Sequence, residues 1–103
     1  MEKVQTLVSD FIEKYSLETS PEVRFIDLMS ELGELGKEIL KGNSYGSRKC
    51  EQSTDFEEEI GDTIFSLICL ANTMEIDLEV ALKKVLLKYE KRFAEKEEIS
   101  SGR

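Results

Sequence analysis

The sequence predicts an all-α fold of four helices, and three observations carry that expectation. Its 103 residues hold one proline, Pro21, so little interrupts helix formation. Apolar residues recur at helical spacing in four stretches, and no stretch shows the alternation of a half-buried strand. Residues that start or stop helices fall between those stretches.

The first helix is expected over residues 2–16, with Val4, Leu7, Val8, Phe11, Ile12 and Tyr15 at helical spacing, and the segment LETSP ends it. Thr19 and Glu22 fit a capping box, with Ser20 as an alternative cap before Pro21. The second helix runs over 21–41 and stops at Gly42. The polar loop 42–53, GNSYGSRKCEQS, is too rich in Gly, Ser and Asn for a helix. Thr54 and Glu57 form a second capping box that opens a third helix over 54–74. Asp77 caps a fourth, 77–98, and the tail ISSGR is expected to fray. No repeat or long linker divides the chain, so residues 1–103 are expected to form a single domain.

Composition narrows the function. Fourteen basic residues face 22 acidic ones, a net charge of −8, with a pI near 4.6. No basic patch stands out, so no nucleic-acid partner is expected. An acidic protein that binds anions needs divalent cations to reverse the local sign of charge. There is no histidine, which excludes Ser-His and Cys-His nucleophile systems and a Cys/His zinc site. The two cysteines, Cys50 and Cys69, suggest no disulfide framework. The N-terminal segment lacks a signal-peptide core and no apolar run is long enough to span a membrane, so no membrane association and a cytoplasmic location are expected.

The acidic residues are patterned. Arg24, Asp27, Glu31, Glu34 and Glu38 are spaced 3, 4, 3 and 4 apart, one stripe on the second helix. Phe25, Leu28, Leu32, Leu35 and Ile39 lie one position round, so the carboxylates border the core. Glu59 and Asp62 share a face of the third helix, and Ser66, Cys69 and Thr73 extend that stripe like a cavity wall. Two carboxylate pairs at i, i+3 on two helices can converge on one point in a bundle. Such hard oxygen donors suit Mg²⁺, with Mn²⁺ as a substitute. Against this, acidic pairs at that spacing arise by chance in so acidic a chain, and Glu57–Glu59 sit at a helix start that favours acids anyway. The run Ile64–Ala71, IFSLICLA, is apolar on nearly every side and is expected to be buried, partly by a second subunit.

SELGELGKEIL, a spacer of residues 35–58 and FEEEIGDTIFSLICLA closely resemble the signature of the MazG nucleoside triphosphate pyrophosphohydrolases. The likeness continues through IDLEVALKKVLLKYEKRF and covers about Val23 to Phe93. It implies a MazG-like helical bundle completed by association into a homodimer or higher homo-oligomer. It implies Mg²⁺-dependent cleavage of a nucleoside triphosphate into the monophosphate and pyrophosphate. By the same resemblance Glu31, Glu34, Glu59 and Asp62 hold the metal. In metal-assisted hydrolysis Glu34 and Glu31 are the candidates to orient the attacking water, the alternative being that every carboxylate is a ligand and the metal activates the water unaided. Lys88 and Arg92, at i, i+4 on the fourth helix, are positioned to face phosphates, although solvated surface charge explains them as simply. Two positions depart from the family. Ser30 stands where the signature has its first Glu, with Glu38 or Glu58 as substitutes, and Leu86 stands where many relatives have Asn. Tyr45 and Phe65 are candidates to stack on a base, although Phe65 fits a core position better. The competing readings are a non-catalytic helical dimerisation module and a relative restricted to one nucleotide, such as dUTP, dCTP or phosphoribosyl-ATP.

Overall fold

The structure is a computed structural model that describes residues 2–42 and 54–100. Four helices follow one another: α1 Glu2–Lys14, α2 Pro21–Gly42, α3 Thr54–Thr73 and α4 Leu78–Ser100. No strand occurs among the described residues. The polar loop expected over 42–53 lies, from residue 43 on, outside them, as do Tyr45 and Cys50. The side chain of Thr54, half of the second capping box, lies outside them too.

The helix starts follow side-chain caps. At α2 the capping hydroxyl is that of Ser20, whose Oγ accepts from the Val23 N–H at 3.3 Å, while Pro21 occupies the first helical position. At α4 the Asp77 carboxylate accepts from the Val80 N–H at 3.1 Å. The helix continues to Ser100, so part of the expected frayed tail is helical.

Two helix ends arrive earlier than the spacing suggests, and by the same device. Ser16 and Glu75 have φ of 53° and 54°. After α1, the Leu17 N–H reaches the Ile12 carbonyl at 2.9 Å and the Ser16 N–H reaches Glu13 at 3.2 Å. After α3, Ile76 reaches Ala71 at 2.9 Å and Glu75 reaches Asn72 at 3.2 Å. These are paired Schellman closures with a left-handed residue just past the helix, a position that usually holds glycine.

Packing is uneven. α3 runs against α2 along much of its length, and α1 crosses α3 through a smaller contact. Buried Gln5 ties α1 to the turn after α3. Its Nε2 donates to Asn72 Oδ1 at 2.9 Å and to the Ile76 carbonyl at 2.8 Å. Its Oε1 accepts from the Leu78 N–H at 2.9 Å, and Asn72 Nδ2 donates back to the Gln5 carbonyl at 3.1 Å. Phe65 meets Phe11 edge-on at 6.0 Å between ring centroids, which makes it a packing residue and not an open base platform.

α4 has no extensive packing with the other helices. The chain is elongated, with principal extents of 59 × 41 × 23 Å and a radius of gyration of 18.2 Å, against about 13 Å for a compact domain of this length. The buried apolar core is small: Phe56, Ile68, Cys69 and Ala71. The run expected to be buried all round is therefore covered on one side only within the protomer. Ile68 is 1% exposed, while Ile60, Ile64 and Leu67 on the other side lie open, as do Leu86, Leu87 and Phe93 of α4.

Glutamate in a left-handed conformation carries a steric penalty that glycine lacks. Glu75→Gly should therefore raise stability by about 0.5–1 kcal/mol, after allowing for the looser unfolded chain. Urea denaturation checks this, with Glu75→Ala as the control that keeps the strain and should not stabilise.

Candidate metal centre

α2 and α3 are antiparallel, and the charges record it. Glu59, near the start of α3, lies in the field of Glu31, Glu34 and Glu38, in the second half of α2. Cys69, near the end of α3, lies in the field of Arg24 and Asp27 at the start of α2. The stripe on each helix thus faces the other along their shared seam.

At the acidic end, one carboxylate oxygen from each of Glu31, Glu59 and Asp62 falls within 4.8 Å of the other two. Glu31 and Glu59 are half-buried and Asp62 is exposed. The Glu59 carboxyl is pushed above its ordinary value of 4.5, first by burial, then by Asp62, Glu31, Glu34 and Glu38. No cation is among the charges that shift it. Crowded anions of this kind favour a hard cation, and three oxygen donors from side chains leave coordination positions for water and phosphate. The donor set therefore fits Mg²⁺ or Mn²⁺.

The structure treats the expected site residues differently. It brings Glu31, Glu59 and Asp62 together. Glu34 is one turn along, exposed and outside that trio, yet close enough to act on Glu59. Glu38, weighed as a stand-in for the acid missing at Ser30, is half-buried, acts on Glu59 and lies 3.7 Å from Lys41. Glu58 is exposed and is not among the groups that shift Glu59. Lys88 and Arg92 are exposed on α4, where both lie over the Tyr89 ring at 5.1 and 5.8 Å. With α4 projecting, nothing in the described contacts joins them to the acidic trio of their own protomer.

Arg24 carries more than the sequence suggests. At the head of the acidic stripe it is buried, and its Nη2 donates to the Leu17 carbonyl at 2.6 Å. The signal available was its place on the core-bordering stripe, one turn after the proline.

Fold and site define a class: an all-α protein whose two central antiparallel helices converge carboxylates at one point of their seam. Comparison narrows the class. The family model of the MazG nucleotide pyrophosphohydrolase domain matches residues 20–95. YpjD of Bacillus subtilis is 38% identical over 93 residues, spanning 87% of this chain and 79% of that protein. The crystal structure of B. subtilis YpjD superposes with a TM-score of 0.75 at 36% identity, covering 89% of this chain and 94% of that one. The Bacillus-conserved MazG protein, a nucleotide pyrophosphohydrolase, superposes with a TM-score of 0.73 at 34% identity, covering 85% and 86%. The MazG nucleoside triphosphate pyrophosphohydrolase/pyrophosphatase of Thermotoga maritima is 35% identical over 52 residues, half of this chain but only 20% of that longer protein. The chain belongs to the MazG nucleotide pyrophosphohydrolase family.

The raised Glu59 value has a consequence for stability. Because the folded chain holds this proton more tightly than the unfolded one, the group stabilises the fold below 4.5. That contribution is lost as pH rises through the raised folded value. In chelator, Glu59→Gln should therefore melt higher than the wild type at neutral pH, and the gap should close as pH falls toward 4.5. Added Mg²⁺ should reverse the order at neutral pH by stabilising only the wild type. Thermal unfolding of both proteins across pH, with and without the metal, measures this.

Proposed function

We propose that this chain is a Mg²⁺-dependent nucleoside triphosphate pyrophosphohydrolase, a single domain that cleaves (d)NTP to (d)NMP and pyrophosphate. The observation that carries the reading is the convergence of Glu31, Glu59 and Asp62 within 4.8 Å, in a family of nucleotide pyrophosphohydrolases. When bound, Mg²⁺ supplies charge neutralisation for the triphosphate and a more acidic water. Glu31, Glu59 and Asp62 hold it by their carboxylate oxygens, with Glu34 completing the set by its place on the same stripe. Of these carboxylates Glu34, the one outside the trio, would take the proton of the attacking water, with Glu31 as the alternative. Glu38 adds negative charge to the field at Glu59, with Lys41 at 3.7 Å beside it.

The reading also assigns the open apolar faces of α3 and α4 to a homodimer or higher homo-oligomer. A protomer this elongated, with so small a core, gains most by covering them. Among the described residues no helix is long and apolar enough to cross a membrane. The free thiol of Cys69 suits a reducing, cytoplasmic setting.

Glu59→Gln and Asp62→Asn remove a ligand charge with little change in bulk, so each should abolish turnover of a (d)NTP panel in Mg²⁺ while the helical circular dichroism persists. Near-normal turnover by both at limiting metal would leave a non-catalytic dimerisation module as the better description. A panel in which a single nucleotide is cleaved would mark a specialised relative.

Lys88 and Arg92 grip phosphates, on this reading, from a neighbouring protomer, because their own α4 leads away from the cluster. Lys88→Ala or Arg92→Ala should lower kcat/KM by about one to two decades, the usual effect of losing a charge-assisted contact. Lys83→Ala, which only separates a surface pair with Glu79 at 3.5 Å, should change little. Mixing Glu59→Gln with Lys88→Ala subunits should restore part of the activity, since a mixed dimer holds one intact pairing. Equal effects for all three alanines, no complementation, or sedimentation as an 11.8 kDa monomer would refute the role in trans.

A further inference from the structure

The acidic stripe of α2 does not end on an acid. Lys41 follows Glu38 by three residues and Glu34 by seven, which brings it within about 20° of Glu34 around the helix axis. Its Nζ stands 3.7 Å from Glu38 Oε1, and its side chain is 55% exposed. Helical side chains lean toward the N-terminus of their helix, so this one leans back along the stripe, toward the carboxylates. Lys37 is the other basic residue in this half of α2, and it lies about 40° farther round from Glu34.

Five carboxylates share this end of the seam, since Glu59 lies in the field of Asp62, Glu31, Glu34 and Glu38. A triphosphate adds several negative charges of its own, so even two divalent cations leave the filled site anionic. A basic side chain must answer the remainder. α3 carries none. α1 is clasped to the far end of α3, by Gln5 on Asn72, and α4 leads Lys88 and Arg92 away. Lys41 is the cation that the protomer itself brings to the acidic end on the line of the stripe. It is not among the groups that act on Glu59, which sets it past the metal ligands and not among them. A lysine ammonium is a compact charge on a flexible stem and suits phosphate oxygens. Its half-exposed pairing with Glu38 is weak and readily exchanged.

Resting on the reading of the acidic trio as the metal centre of a pyrophosphohydrolase, we propose that Lys41 binds the β and γ phosphates of the substrate, the part that leaves as pyrophosphate. The scissile bond then lies at the metal, between the α and β phosphates, and the outgoing group points along α2 toward its C-terminus. The β and γ phosphates carry most of the charge of a triphosphate, so a point charge acts most strongly at their end. Lys41 exchanges Glu38 for phosphate when substrate binds and returns to it when pyrophosphate departs.

The two products of the reaction divide the question. Pyrophosphate carries the phosphates assigned to Lys41, and a nucleoside monophosphate lacks them. Inhibition by each product is measured in Mg²⁺ for the wild type, Lys41→Ala, Lys41→Arg and Lys37→Ala, beside kcat/KM for a (d)NTP. Lys41→Ala should weaken pyrophosphate inhibition and lower kcat/KM, each by about tenfold or more, while monophosphate inhibition is unchanged. Lys41→Arg should recover most of both, and Lys37→Ala should match the wild type. Retained Mn²⁺ binding and helical circular dichroism show that the variants keep the centre and the fold. Lys41→Ala with wild-type pyrophosphate inhibition, equal weakening of both products, or the same effect from Lys37→Ala would overturn the proposal. Should the wild type hydrolyse nothing, the pyrophosphohydrolase reading fails, while calorimetry of pyrophosphate into the Mn²⁺-loaded chain still decides the role of Lys41. Weaker binding by Lys41→Ala, and not by Lys37→Ala, supports the contact; equal binding by all, or none by the wild type, overturns it.

Discussion

The crowding of like charges at the α2–α3 seam is the constraint around which this protein is organised. Antiparallel packing of two amphipathic helices is ordinary, but here the register sets Glu31 opposite Glu59 and Asp62. It adds Glu34 and Glu38 to the same field, so that Glu59 holds its proton more tightly than a free glutamate. A fold that needed only to bury apolar surface would separate these groups. Keeping them together works against stability, and a cation brought with a polyphosphate is the natural counterweight. The helices themselves are secured away from the charge, by the Ser20 and Asp77 caps, by the Gln5–Asn72 clasp and by the Phe11–Phe65 contact.

The same economy leaves the protomer unfinished. Ile60, Ile64 and Leu67 of α3 and Leu86, Leu87 and Phe93 of α4 are open. Gly33, Gly36 and Gly61 sit in helix interiors, where a methyl group at each would touch nothing within 4 Å. Glycine in such positions weakens a helix by about 0.8–1 kcal/mol relative to alanine, with no compensation inside the protomer. Close approach of another helix is one physical use for that smoothness, and it fits the proposed association. It also fits the geometry of α4, which carries Lys88 and Arg92 away from the acidic trio of its own chain.

Much of this was legible in the sequence because it depends on local rules. Four helices follow from spacing and punctuation, and the Asp77 cap follows from carboxylate chemistry, whereas at α2 it is the alternative, Ser20, and not the Thr19–Glu22 box, that caps the helix. The convergence of Glu31, Glu59 and Asp62 follows from two i, i+3 pairs that border apolar stripes. What stayed hidden is set by tertiary geometry. Ser16 and Glu75 close their helices in a conformation that no glycine announces. The direction of α4 depends on Gln5 bonding to Asn72, Ile76 and Leu78, contacts about seventy positions apart that no periodicity encodes. Lys88 and Arg92 share a face at i, i+4 as expected, but a shared face says nothing about what stands opposite it. Arg24 lies on the acidic stripe by spacing, but its burial and its bond to the Leu17 carbonyl are set by tertiary structure.

That last point ties the two ends of the seam together. Along one stripe the polarity runs from a cluster of carboxylates to a single under-bonded guanidinium, two turns away on both helices. The carboxylate end is crowded enough to hold the Glu59 proton more tightly, while at the other end the guanidinium donates to the Leu17 carbonyl and keeps Nε buried without a partner, so the seam concentrates its electrostatic cost at two separate points.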